Sequence, residues 1–164
     1  MAVQSPTQLF MEEMGCMYNA EQIILQTLPQ MAKESNNQQV TNALQMHEQE
    51  TRQQVQNLEQ CFQILGERPP RVACYAVAGL KQEHDEFVKE NPTQDILTAF
   101  DLDTAYKTEH FEIGSYKGLI DKANMMGQTQ VANLLQQNFQ QEQAMAQRVE
   151  QLARQVDQQI IQKV

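Results

Sequence analysis

Apolar residues along this chain recur at alternating steps of three and four, and four stretches keep that rhythm for about eight turns each. The spacing predicts four long helices, over residues 7–35, 37–66, 97–126 and 129–161. The first stripe is Phe10, Met14, Met17, Glu21, Ile24, Leu28 and Met31; the second is Val40, Leu44, His47, Thr51, Gln54, Leu58, Cys61 and Leu65. The third is Leu102, Tyr106, Glu109, Ile113, Tyr116, Ile120 and Ala123, and the fourth Val131, Leu135, Asn138, Glu142, Met145, Val149, Leu152 and Val156. This is the seam of an antiparallel bundle or coiled coil. Gly66 with Pro69–Pro70, Pro92 and Gly127 mark the breaks. Pro29 falls inside the first helix, where a kink or a lost backbone hydrogen bond is expected. No stretch alternates β-branched residues with period two, so the chain reads as all-α.

The first two helices meet at a short turn around Asn36–Asn37, while the second and third are separated by residues 67–96, with a short helix expected at about 72–89. A connection of that length can travel the full bundle, so the second and third helices can run parallel. The expected fold is a ferritin-like four-helix bundle, up-down-down-up, as a single domain over residues 1–164.

Composition narrows the partners. A formal charge of −9 argues against duplex DNA and anionic membranes. No apolar run approaches the roughly 20 residues of a membrane span, and the first ten residues carry no leader pattern. Cys16, Cys61 and Cys74 have no CxxC spacing and read as reduced, mostly buried thiols in a reducing compartment. The 29 glutamines are interleaved with apolar residues at helical spacing and read as solvated helix surface.

Candidate chemistry lies where acid or imidazole interrupts each stripe at mid-length. Glu21 stands in the first helix, His47 and Glu50 at i and i+3 in the second, Glu109 and Glu112 at i and i+3 in the third, and Glu142 in the fourth. In a fully overlapped bundle these six side chains share one level. Buried, unpaired carboxylates cost several kcal/mol each and repel one another, and Lys33, Arg52, Lys107, Lys117 and Arg148 lie off the seams. Either the acids are protonated or cations neutralise them. Two divalent ions balance four glutamates with His47 as a neutral nitrogen donor. A fifth glutamate exceeds that balance, which puts one of Glu109 and Glu112 outside the ligand set or in protonated form unless the metals are oxidised. Oxygen donors with one imidazole suit Fe or Mn, iron ahead of manganese. The usual four-helix site uses Glu-x-x-His pairs; here the order is His-x-x-Glu and Glu-x-x-Glu.

Each piece has a plainer reading. Glu21 or Glu142 alone fits an exposed helix position, His47 alone a satisfied core histidine, and Glu109 with Glu112 a solvated acidic patch; their coincidence at one level favours metal. Tyr18, Tyr106 and Tyr116 read as aromatic wedges sealing the core. His110 flanks Glu109, near the metal or on the surface, and His84 in the crossover has no evident partner.

The run Glu109-His110-Phe111-Glu112-Ile113-Gly114-Ser115-Tyr116, with Leu119, Ala123 and Gly127, resembles the third-helix signature of the YciE/YciF family of bacterial, stress-associated ferritin-like proteins. Leu9-Phe10, Glu13, Tyr18, Ala20-Glu21 and Leu28-Pro29 match its opening segment; His47, Glu50-Thr51 and Leu58 through Gly66 match its second helix; Cys74 and Gly79-Leu80 match its crossover. The resemblance spans about residues 8–155 and implies a cytoplasmic homodimer with a dinuclear metal centre. Cys16-Met17 and Gln140-Gln141 depart from the family pattern, but Glu142 is retained.

Three functions follow: a di-iron or di-manganese oxidoreductase of ferroxidase or peroxide-dismutating type, acting on O2 or peroxide in stress protection; a metal-binding module without turnover; and a metal-free structural bundle assembling as a homodimer.

Overall fold

Helix starts are written into the sequence as side-chain acceptors. In the computed structural model, which describes residues 3–163, Ser5 caps α1 (Pro6–Glu34) by accepting from the Gln8 amide at 3.1 Å, with Pro6 at the first helical position. Asn37 caps α2 (Gln38–Ile64), its Oδ1 accepting from the amides of Gln39 at 2.9 Å and Val40 at 3.4 Å. Then follow α3 (Tyr75–Lys89), α4 (Gln94–Met125) and α5 (Thr129–Ile161). Glycines end α2 and α4. Gly66 and Gly127 both take φ +71°, which lets the Glu67 amide reach the Phe62 carbonyl at 3.0 Å and the Gln128 amide reach that of Ala123 at 2.8 Å.

Some boundaries differ from expectation, each for a local reason. α1 runs unbroken through Pro29, whose missing N–H deprives only the Leu25 carbonyl of its usual donor. The crossover helix starts at Tyr75, not near residue 72, because the segment before it is strapped to α1. Pro70 lies over Gly15, and the Cys74 amide donates to Asn19 Oδ1 at 2.8 Å. α4 begins at Gln94, three residues earlier than expected, with Asp95 in the first turn where its charge meets the helix dipole. Met1, Ala2 and Val164, the ends of the expected 1–164 span, lie outside the described residues.

Hydrogen bonds fix the topology. The α1–α2 turn touches the start of α4: the Asn36 side chain donates to Asp95 Oδ1 at 2.6 Å, and the Gln94 side chain donates to the Glu34 carbonyl at 3.3 Å. Both α2 and α4 therefore leave from the same end and run parallel. At the far end Lys122 of α4 pairs with Glu13 of α1 at 2.8 Å. The α3 crossover carries the chain back along the bundle, which is the up-down-down-up, ferritin-like arrangement.

The stripes of α1 and α5 are buried throughout, as is that of α2 except for half-buried Leu65. α4 differs. Tyr106 is 36% exposed and Ile113 and Ile120 are only half-buried; Thr98, Ala105, Thr108, Glu112 and Leu119 take the interior instead. Leu102, Glu109, Tyr116 and Ala123 belong to both stripes, so the helix is turned about them toward its smaller residues, where α1 and α3 pack. Of the glutamines, Gln54 is fully buried, as its place in the second stripe predicts, and is an exception to the surface reading.

Candidate metal centre

Four elements deliver the interior acids. Glu21 comes from α1, His47 from α2, Glu109 and Glu112 from α4 and Glu142 from α5, none more than 2% exposed. The ligating atoms of His47, Glu109, Glu112 and Glu142 all lie within 4.8 Å of one another. His47 Nδ1 is 3.2 Å from Glu109 Oε1, and its Nε2 is 3.9 Å from Glu142 Oε2. Glu21 lies beside Glu112, and its Oε1 accepts the Tyr116 hydroxyl. Glu50 is only half-buried: α2 turns Thr51 and Gln54 inward after His47, so Glu50 sits on the flank of the cluster, near Arg148. Glu50 is thus the least buried of the six candidates, yet near enough that its charge raises Glu109 and Glu142.

Burial sets the protonation of this group. It raises the carboxyls of Glu21, Glu109 and Glu112 well above the ordinary range, and the charge of Glu142 adds to the effect on each. Glu142 is pushed up to about 7, chiefly by burial. His47 moves the other way, down to about 4, again by burial. An imidazole beside acids that are themselves protonated gains no ion pair, so it stays neutral and available as a nitrogen donor.

The donor set fits metal. Glu21 Oε2, both oxygens of Glu109, Glu112 and Glu142, and both nitrogens of His47 are buried without a hydrogen-bond partner. Among the described residues no lysine or arginine forms an ion pair with Glu21, Glu109, Glu112 or Glu142. Native interiors satisfy nearly all such atoms, so this many orphans at one place point to cations.

Beside the cluster runs a polar chain that periodicity alone does not reveal. Asn57 donates to Asn138 Oδ1 at 2.7 Å, Asn138 donates to the Tyr116 hydroxyl at 3.0 Å, and Tyr116 donates to Glu21. Tyr116 is thus a core residue with a polar task. Tyr18 is half-buried and donates to Glu59 at 2.8 Å. Tyr106 lies at the surface against His110, which is itself exposed and does not face the cluster. An apolar cavity of about 30 Å³ reaches His47 from beneath α3, lined by Ile24, Leu28, Val77, Leu80, Ala105 and Thr108 among others. His84, without an evident partner in the sequence, meets Asp101 and Glu34. Asp101 sits in the part of α4 whose facing the rotated stripe changed.

Fold and interior together define a ferritin-like four-helix bundle enclosing an acidic cluster with one imidazole. The chain belongs to the family described as "Domain of unknown function (DUF892)", whose pattern matches residues 5–162. It is 26% identical over 145 residues to Protein YciF of Escherichia coli K12, covering 88% of this chain and 87% of that one. The crystal structure of the E. coli stress protein YciF superposes with a TM-score of 0.89 at 25% identity, over 94% of this chain and 98% of that one. YcfI from Rhodopseudomonas palustris gives 0.87 at 32% identity, over 90% and 94%. A protein from Xanthomonas campestris shares the fold, with a TM-score of 0.77 at 18% identity over 97% and 98%. No helix of the described residues is long and apolar enough to cross a membrane.

Proposed function

We propose that this protein is a dinuclear metal-carboxylate protein, iron ahead of manganese, that acts on O2 or peroxide. The observation that carries the reading is electrostatic: four buried carboxylates and a neutral imidazole gather, and among the described residues no lysine or arginine forms an ion pair with them. Two divalent ions match Glu21, Glu109, Glu112 and Glu142 in charge, and oxygen donors with one nitrogen suit iron or manganese. Such ions, when bound, supply the redox chemistry for a small oxidant. The chain itself supplies a neutral nitrogen at His47, a fixed Glu21 through Tyr116, and an apolar cavity at His47 that favours small uncharged molecules. Glu50, on the flank, is the sixth donor of the proposed set, its charge opposed by that of Arg148. The likeness to YciF, a stress protein of E. coli, supports a protective role. We place that role in the cytoplasm, in a homodimer, as the family resemblance implies.

Elemental analysis of protein from its native host tests the metal. About two iron or manganese ions per chain are expected, falling below about one in Glu142→Gln. Full metal content in that variant would overturn the ligand assignment. Aerobic Fe(II) oxidation and peroxide consumption test the activity. The small size of the cavity favours one second reading, a metal-stabilised bundle without turnover; full metal content with neither activity selects it.

A further inference from the structure

A second group of ligating side chains meets where the end of α1, the crossover helix and the early turns of α4 converge. Glu34, His84 and Asp101 each offer an atom within 4.8 Å of the others. His84 Nε2 stands 2.8 Å from Asp101 Oδ1 and 3.3 Å from Glu34 Oε2. His84 and Asp101 are wholly buried and Glu34 is 19% exposed, so the group meets solvent through one carboxylate. Along the helices it is well away from the central cluster: Glu34 is roughly 20 Å beyond Glu21, and Asp101 about 12 Å before Glu109.

Hydrogen bonding alone leaves this group incomplete. An imidazolium has a single N–H at Nε2, and Asp101 Oδ1 takes it. Glu34 Oε2 and Asp101 Oδ2 remain buried with no hydrogen-bond partner. Two carboxylates against one imidazolium also leave a net negative charge inside the protein, and no lysine or arginine of the described residues pairs with either acid. The other Glu34 oxygen accepts from Gln30 Nε2 at 2.9 Å, which holds the carboxylate with Oε2 toward His84. Outer hydrogen bonds of that kind orient metal ligands.

A divalent cation removes both deficits. Neutral imidazole, two carboxylates and a dication sum to zero charge, and the orphaned oxygens gain a partner. Metal–ligand bonds of about 2.0–2.2 Å hold neighbouring donors about 3–3.5 Å apart, the scale already present here. Three protein donors with one solvent-facing side is also the pattern of open zinc sites. We infer that Glu34, His84 and Asp101 form a mononuclear site for a divalent cation of the zinc class, which fastens the crossover helix to the bundle independently of the central cluster.

The test is Zn2+ titration of the chelator-treated full chain, with bound metal measured after desalting. His84→Gln and Glu34→Gln are each expected to bind one equivalent less than the unaltered protein, while Glu142→Gln keeps this site. Zn2+ should also protect the α3 amides from hydrogen exchange in the unaltered protein and not in Glu34→Gln. Glu34 is partly exposed at a helix end, so Glu34→Gln decides the matter if His84→Gln fails to fold. Unchanged stoichiometry in Glu34→Gln, with no zinc-dependent protection of α3, would show only an imidazolium held between two acids and overturn the assignment. Failure of the central-cluster reading shows separately, as unchanged stoichiometry in Glu142→Gln.

Discussion

The Tyr116 hydroxyl donates its hydrogen bond to Glu21 across the bundle, from α4 to α1, with both side chains completely buried. Burial and the surrounding acids, Glu21 first among them, push the tyrosine pKa well above its usual value, so it remains a donor. Asn138 in turn donates to Tyr116, which ties the orientation of Glu21 to α5 and, through Asn57, to α2. Tyr116→Phe keeps the ring and deletes the donor, leaving Glu21 Oε1 without its partner. A stability loss of about 1–3 kcal/mol is expected, read by denaturant unfolding. A change within about 0.5 kcal/mol would mean that the bond contributes nothing net.

The topology was legible in the sequence, and so was the interior placement of Glu21, His47, Glu109, Glu112 and Glu142, because stripes of fixed period put interrupting acids on the same face as the core. Glu50 shows where that logic stops. Its i+3 spacing from His47 is right for a shared face, yet the stripe of α2 continues through Thr51 and Gln54 and leaves it at the edge. α4 mixes polar and apolar residues around its whole circumference, so periodicity does not settle its rotation, and Tyr106, which the stripe puts inward, faces out. The His84 cluster joins residues far apart in sequence through the docking of the crossover helix. No local spacing encodes that.

pH should act in opposite directions on the central acids and on His47. Glu21, Glu109, Glu112 and Glu142 have raised pKa values in the folded chain, so the folded state holds protons that the unfolded chain has released. For chelator-treated protein, stability is then highest near the unfolded carboxyl value of 4.5 and declines as pH rises through about 7, the value for Glu142, and beyond. His47, lowered to about 4, works the other way between there and 6.5, but it is one group against four. Each retained proton changes stability by up to about 1.4 kcal/mol per pH unit. Thermal melts from pH 5 to pH 9 check this: the melting temperature should fall with pH when metal is removed and stay flatter when it is restored. A melting temperature that climbs with pH in the chelated protein would contradict the assigned protonation.

Two helical glycines should respond oppositely to the same substitution. At Gly15 an added Cβ would come within 2.5 Å of Pro70 Cγ, pushing the strap that leads into α3 off α1. At Gly114, exposed in the middle of α4, an added Cβ meets nothing within 4 Å. Gly15→Ala is expected to destabilise by about 1–3 kcal/mol through overpacking. Gly114→Ala should stabilise by about 0.5–1 kcal/mol by limiting the unfolded chain. Urea midpoints of the two variants decide it; equal shifts in the same direction would mean that the Pro70 contact does not constrain the strap.

The cavity beneath α3 provides a way to separate access from binding at the metal centre. Ala105 lines it and lies a turn from Glu109, yet carries no ligating atom. Ala105→Leu adds three carbons to a cavity of about 30 Å³, so the cavity should close at an overpacking cost of about 1–3 kcal/mol. Metal content should stay at the level of the unaltered protein, because all the proposed ligands are untouched. Under the oxidant-handling reading, Fe(II) oxidation or peroxide consumption should slow by about tenfold, equivalent to about 1.4 kcal/mol on the barrier. Stopped-flow rates with metal content measured in parallel make the distinction. A full rate with the cavity filled would show that small molecules reach His47 by another route, whereas a loss of metal would show that Ala105 supports the ligands rather than the approach to them.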